Sequence, residues 1–159
     1  MTDTGRALTD THCQIQIHAP PEVIYAVLWD VGRYPQFLTH VIDAGVTENS
    51  NPEQITVELC LDMIRTFECR FDMRGHPTSR VRWWLTEAAD VLESHAGGWT
   101  IEAGTNPRTC MLDYKAKIQL KEAIPDSLMG RIVDFDVPTM LRQVKARAEF
   151  VARRTDPTV

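Results

Sequence analysis

At 159 residues, 43% hydrophobic and 25% charged, the chain has the size and balance of one globular domain with a substantial core. A formal net charge of −5 argues against nucleic acid as the main partner, because phosphate binding calls for a basic surface. The N-terminus MTDTGRALTD is polar and lacks the apolar core of a signal peptide, and no run approaches the length of a membrane span, so a cytoplasmic protein is expected.

Residues 1–10 read as a flexible tail. From His12 to His18 the residues Cys13, Ile15 and Ile17 alternate with His12, Gln14 and Gln16, the period-two pattern of a half-buried strand. Pro20 and Pro21 end it, and a proline suits the first turn of the helix that follows, with Glu22 matching the helix dipole. Val23, Ile24, Val27 and Leu28 form that helix's apolar stripe, and Asp30 is placed to cap a second short helix running to Leu38.

A series of strands follows. Val41 to Glu48 ends at the turn cluster Asn49-Ser50-Asn51-Pro52. Ile55, Val57, Leu59 and Leu61 mark the apolar face of the next strand, and Phe67, Cys69, Phe71 and Met73 that of the one after. Gly75-His76-Pro77 reads as a turn; Val81, Trp83 and Leu85 then oppose Arg82, Trp84 and Thr86. Val91 to Ala103 is a strand in which Gly97-Gly98 signals a bulge or a close backbone approach. After a turn at Gly104 to Arg108, Cys110, Leu112, Tyr114, Ala116, Ile118 and Leu120 line one side of a long strand. One-sided alternation of this kind belongs to an antiparallel sheet with one face covered.

The cover is the last segment. Met129, Val133, Val137, Met140, Val144, Ala148 and Val151 recur at helical spacing, with Leu128, Ile132 and Phe135 widening the stripe. Pro138 predicts a kink near residues 134–137. The helix is about 40 Å long at 1.5 Å per residue, enough to cross the sheet. Residues 154–159 read as a second tail.

These pieces resemble the START-like superfamily and its helix-grip fold, in particular the branch of polyketide cyclases/dehydrases and coenzyme Q-binding proteins. The resemblance rests on Ala19-Pro20-Pro21-Glu22-Val23-Ile24-Tyr25, on Asp30-Val31 followed by Tyr34-Pro35 and Phe37-Leu38, on Gly98-Trp99 with Thr109, Leu112 and Tyr114 beyond it, and on the closing helix Leu141 to Phe150. Thr39-His40 departs from quinone-binding relatives, which often place Pro-Trp there. The resemblance implies an α+β domain over residues 11–153: a curved antiparallel sheet of about seven strands wrapped around a long C-terminal helix, with two short helices after the first strand.

It also implies a cavity between sheet and helix. The expected lining is Phe67, Phe71, Trp83, Trp99, Tyr114, Val133, Val137 and Met140, the inward phases of strands and helix. The stretch Ile17–Leu38 reads as caps, turns and packing, so the site is sought between Phe67 and Met140. Tyr114 is a polar group in an apolar phase, and its hydroxyl calls for a partner or a ligand. His95 shares the phase of Trp99 only if Gly97-Gly98 does not bulge. Asp134 and Asp136 are expected at the cavity mouth, in contact with solvent. The cysteines Cys13, Cys60, Cys69 and Cys110 form no Cys-x-x-Cys pair and have no histidine at zinc spacing; they read as reduced thiols. No metal and no cofactor is expected.

The expected function is binding or transport of a hydrophobic small molecule: a lipid, an isoprenoid quinone or a polyketide. One alternative is a polyketide aromatase/cyclase or dehydratase, with Tyr114 and His95 as candidate catalytic residues; another is a protein-interaction module of the same branch. The basic series Arg142, Lys145, Arg147, Arg153 and Arg154 reads as a solvated helix face or as a point of transient membrane contact.

Overall fold

A computed structural model describes residues 8–155, the side chain of Ser50 excepted. Strand β1 (Thr9–Ile17) leads to helix α1 (Pro21–Trp29) and a 3₁₀ turn (Val31–Gln36). Strands β2 (Val41–Asn51), β3 (Gln54–Met63), β4 (Arg65–His76), β5 (Arg80–Leu85), β6 (Leu92–Ala103) and β7 (Cys110–Leu120) follow. Helix α2 (Asp126–Arg131) passes through a π turn (Ile132–Asp136) into α3 (Val137–Thr155). The strands make one seven-stranded sheet in the order β1-β7-β6-β5-β4-β3-β2, every neighbouring pair antiparallel. Its inner face, α1 and α3 bury one continuous apolar cluster, the helix-grip arrangement.

Several boundaries differ from the sequence reading. Strand β1 begins at Thr9, where Thr9 pairs with Ile118, so residues 9 and 10 belong to the sheet; at the other end α3 runs to Thr155, so residues 154 and 155 of the expected tail are helical, while residues 1–7 and 156–159 lie outside the described residues. Strand β2 continues through the asparagines, and the chain turns at 52–53. Gly75 and His76 are paired in β4, with the turn after them. A Cβ on Gly75 would stand 2.1 Å from Tyr25 Oη and 3.0 Å from the Trp29 ring. Glycine is there to let α1 lie against the strand, not to turn the chain. Asp30 occupies the predicted capping position without a side-chain capping bond. Its carboxylate instead meets Arg33 Nε at 2.9 Å.

The expected disturbance of the last helix is a π turn. Pro138 has no N–H and its ring would press on the carbonyl four residues back. The preceding turn widens: Val137 N–H donates to Ile132 O, five residues away. The extra residue shifts the apolar stripe. Ile132, Val137, Leu141, Val144 and Ala148 are buried; Met129, Val133, Met140 and Val151 are half-buried; and Phe135, expected to widen the stripe, is 60% exposed.

Several basic residues of α3 are engaged within the molecule. Lys145 Nζ donates to Gln16 O at 2.8 Å and to Glu149 Oε2 at 2.6 Å, and the same Glu149 oxygen accepts His18 N–H at 2.9 Å, so this cluster ties α3 to the end of β1. Arg147 lies over Phe37, and Arg154 over Phe150. Among the described residues, no helix is long and apolar enough to cross a membrane.

Candidate functional site

The floor of the site is a cross-strand aromatic layer, and Gly97 makes it possible. Trp83 on β5 pairs with Gly97 on β6, which pairs with Ala116 on β7. No bulge occurs at Gly97-Gly98; the register shift lies instead at Leu92–Ser94. A Cβ on Gly97 would stand 2.4 Å from Lys115 O, 2.7 Å from the Trp83 ring and 2.8 Å from the Ala116 Cβ. The bare backbone lets the Trp83 indole reach across β6 and stack on Tyr114, ring centroids 5.5 Å apart and planes 26° off parallel. Trp99 closes on Tyr114 at 4.9 Å and on Trp83 at 6.0 Å.

Because β6 runs without a bulge there, His95 and Trp99 share the inner face. His95 sits edge-on to Phe71, centroids 5.6 Å apart, and beside Trp83. Trp83 Nε1 donates to His95 Nδ1 at 3.1 Å.

Above this floor lies a cavity of about 110 Å³. Met140 and Val144 of α3 roof it, and Leu28 of α1 with Val31, Tyr34, Phe37 and Leu38 closes one end. Val41, Val57, Leu59, Leu61 and Met73 complete the sheet wall. Tyr34 is anchored by donating its hydroxyl to Leu28 O. The closing segment is latched to α3 from outside: Gln143 Nε2 donates to Thr39 Oγ1 at 3.0 Å, and Arg147 Nη2 to Gln36 Oε1 at 3.0 Å.

A second chamber of about 80 Å³ continues toward the π turn, between Asp62, Met63, Ile132, Asp136 and Val137. His40, Leu61, His95, Tyr114 and Met140 border both chambers. Asp134 is exposed and Asp136 half-buried on the second chamber's wall. Next in the chain to its lining stand the exposed apolar residues Ile64 and Phe135. Ile64 holds a left-handed φ of 67°, unusual for a β-branched residue.

The histidines and tyrosines that line the main chamber are neutral at pH 7. Burial pushes His95 down to about 4, and nearby His40 adds to the effect. Burial pushes His40 down to about 4 as well, against the pull of Asp62. Both residues are half-buried, and both border the two chambers. Burial raises the Tyr34 and Tyr114 hydroxyls, and Thr11 lies against the Tyr114 oxygen. Among the described residues, no lysine or arginine lines either chamber.

Of the residues expected to line the cavity, Phe71, Trp83, Trp99, Tyr114 and Met140 do so, with Val137 in the second chamber. Phe67 and Val133 do not line these chambers: Phe67 is buried opposite Leu61, and Val133 is turned aside by the π turn. His95, weighed as a candidate, is central. The reading that placed the site wholly between Phe67 and Met140 missed Tyr34, Phe37, Leu38 and His40. The signal was present in Tyr-Pro-x-Phe-Leu, a cluster of large apolar groups in a turn too short to bury them itself.

Comparison with known proteins bears on this geometry. Residues 17–145 match the model of the family described as polyketide cyclase / dehydrase and lipid transport. No curated protein matches in sequence. Among solved structures, the ZhuI aromatase/cyclase from Streptomyces sp. R1128 is similar at TM-score 0.82 and 16% identity, over 96% of this chain and 98% of that one. A START superfamily protein from Mycobacterium smegmatis is similar at TM-score 0.78 and 14% identity, over 89% of this chain and 98% of that one. The di-domain aromatase/cyclase StfQ of the steffimycin pathway is similar at TM-score 0.77 and 16% identity, this chain spanning 92% of itself and 52% of StfQ. At these identities the likeness shows the shared fold.

Proposed function

Because the chain belongs to the polyketide cyclase/dehydrase and lipid transport family, we propose that residues 9–155 act as one unit that binds a hydrophobic small molecule between the sheet and α3. The observation that carries this reading is the paired chamber: an aromatic floor, an aliphatic roof and, in the main chamber, few polar groups, whose histidines stay neutral at pH 7. Such a surface gains about 25 cal/mol for each Å² of apolar area it removes from water. Lipid, isoprenoid quinone and polyketide all offer that area. Four free thiols accord with action in the reducing cytoplasm.

A second reading, catalysis on a polyketide chain, is favoured by His95 and His40. Aldol closure or dehydration needs a positioned donor at a carbonyl oxygen and a base at the adjacent carbon. His95 can supply the first and His40 borders the same space. Family membership leaves the choice between carrier and enzyme to the site itself.

Met140 borders both chambers, which makes it the residue with which to occlude them. Titration with N-phenyl-1-naphthylamine is expected to show saturable 1:1 binding to the wild type and at least a tenfold loss for Met140→Trp, with the melting temperature held within about 4 °C. Equal affinity for the two proteins would contradict the proposal.

A further inference from the structure

One hydrogen bond sets the polar end of the cavity. Trp83 Nε1 and His95 Nδ1 are 3.1 Å apart. An indole nitrogen can only donate, so His95 Nδ1 must accept. The single proton of the neutral ring is then on Nε2. Adding a second proton at Nδ1 would set N–H against N–H and break the bond.

What Nε2–H can meet follows from the surroundings. Among the described residues, Ser94 Oγ is the buried side-chain N or O atom without a partner. His95 Nε2 has no hydrogen bond from the protein and is not shut away, and its ring borders both chambers, so this donor faces the cavity. The walls around it are Phe71, Trp83 and Met140. Among the described residues no lysine or arginine lines the chambers to neutralise an anion, and Asp62 and Asp136 border the adjoining chamber. An anionic ligand would lose its hydration without compensation.

We propose that the cavity takes an uncharged ring ligand bearing a carbonyl oxygen, which accepts the His95 Nε2 proton, and that Trp83 is the positioning residue that holds His95 in this donor tautomer. The proposal rests on the binding reading above and narrows it to one chemical class. It also explains the glycine on β6: Gly97 keeps the Trp83 indole at the distance His95 needs.

The test has two arms. The first is ¹⁵N NMR of the His95 ring in the unliganded protein between pH 5.5 and 8. A protonated Nε2 and a bare Nδ1 are expected throughout, and a mixture of tautomers in Trp83→Phe, which keeps an aromatic ring but loses the indole N–H. A proton on Nδ1 in the wild type, or an unchanged tautomer in Trp83→Phe, would overturn the proposal. The second arm compares 2-acetylnaphthalene with 2-isopropenylnaphthalene, two probes of nearly equal shape of which only the first has a carbonyl. A single neutral hydrogen bond corresponds to a three- to tenfold preference for the ketone, and His95→Phe is expected to remove it. Equal affinity of the wild type for both probes would overturn the proposal and leave hydrophobic binding standing. Failure of both probes to bind would overturn the binding reading and the proposal with it.

Discussion

Gly97→Ala is expected to destabilise the protein by about 2 kcal/mol and to displace Trp83 from Tyr114. The added methyl meets the Lys115 carbonyl at 2.4 Å and the Ala116 Cβ at 2.8 Å, both parts of β7 that can move only if the sheet moves. It also meets the Trp83 ring at 2.7 Å, so the indole must lift and its bond to His95 lengthen. Alanine narrows the unfolded ensemble by comparison with glycine, which offsets part of the loss. The neighbouring glycine is the control. A Cβ on Gly98 would find Val81 O at 3.3 Å and the flexible Arg82 stem at 3.4 Å, on the opposite face. Gly98→Ala is therefore expected to stay within about 0.5 kcal/mol of the wild type. Urea unfolding followed by near-ultraviolet circular dichroism reads both effects. Equal losses for the two variants would refute the role given to Gly97.

Stability is expected to fall steeply between pH 7 and pH 5, before the carboxylates begin to titrate. His40 and His95 are each held at about 4 in the folded protein, against an ordinary 6.5. Below 6.5 the unfolded chain takes up protons that the folded chain refuses, so each histidine favours unfolding as pH falls toward its folded value. The loss is on the order of 2 kcal/mol per histidine across this window. His95→Gln is expected to flatten about half of the slope. Carboxylates act later and in a separate range. Burial raises Asp113, but hydrogen bonds from His12 and Gln14 outweigh it; burial raises Glu149, but Lys145 and the His18 N–H outweigh it. Their folded values lie below the usual one, so their contribution is intact above the unfolded value and disappears only as pH falls through the folded one. Equilibrium unfolding at pH 7.5, 6 and 5 measures the slope; a flat profile over that range would show that both histidines titrate normally.

The fold was legible because nearly every element announces itself by period. β7 alternates without a break from Cys110 to Leu120 and is buried in that same phase. The helix kink was legible from Pro138, but its form was not: a π turn rather than a simple bend, which decides that Ile132 and not Val133 is buried. A proline reports which bond is missing, not how the backbone makes room.

The site was legible in part for a related reason. Phase tells which face of a strand Trp83 or Tyr114 occupies, and so the aromatic floor could be written down from the sequence. Tyr34, Phe37 and His40 sit in or beside a 3₁₀ turn with no usable period, and only the packing of that turn against α3 brings them over the cavity. The Trp83–His95 bond belongs to the same class. It depends on a glycine being a spacer rather than a bulge, and the two readings of Gly97-Gly98 give opposite faces to His95.

The methionines give the most direct test that the ligand lies inside. Met73 and Met140 line the main chamber and Met63 the second, whereas Met111 is exposed on the outer phase of β7 and Met129 stands on α2 outside both linings. In protein labelled with ¹³C at the methionine methyls, titration with 2-acetylnaphthalene is predicted to shift Met73 and Met140 together, saturably, while Met111 and Met129 stay in place. Shifts confined to Met111 or Met129, with Met73 and Met140 unmoved, would contradict a binding site between the sheet and α3.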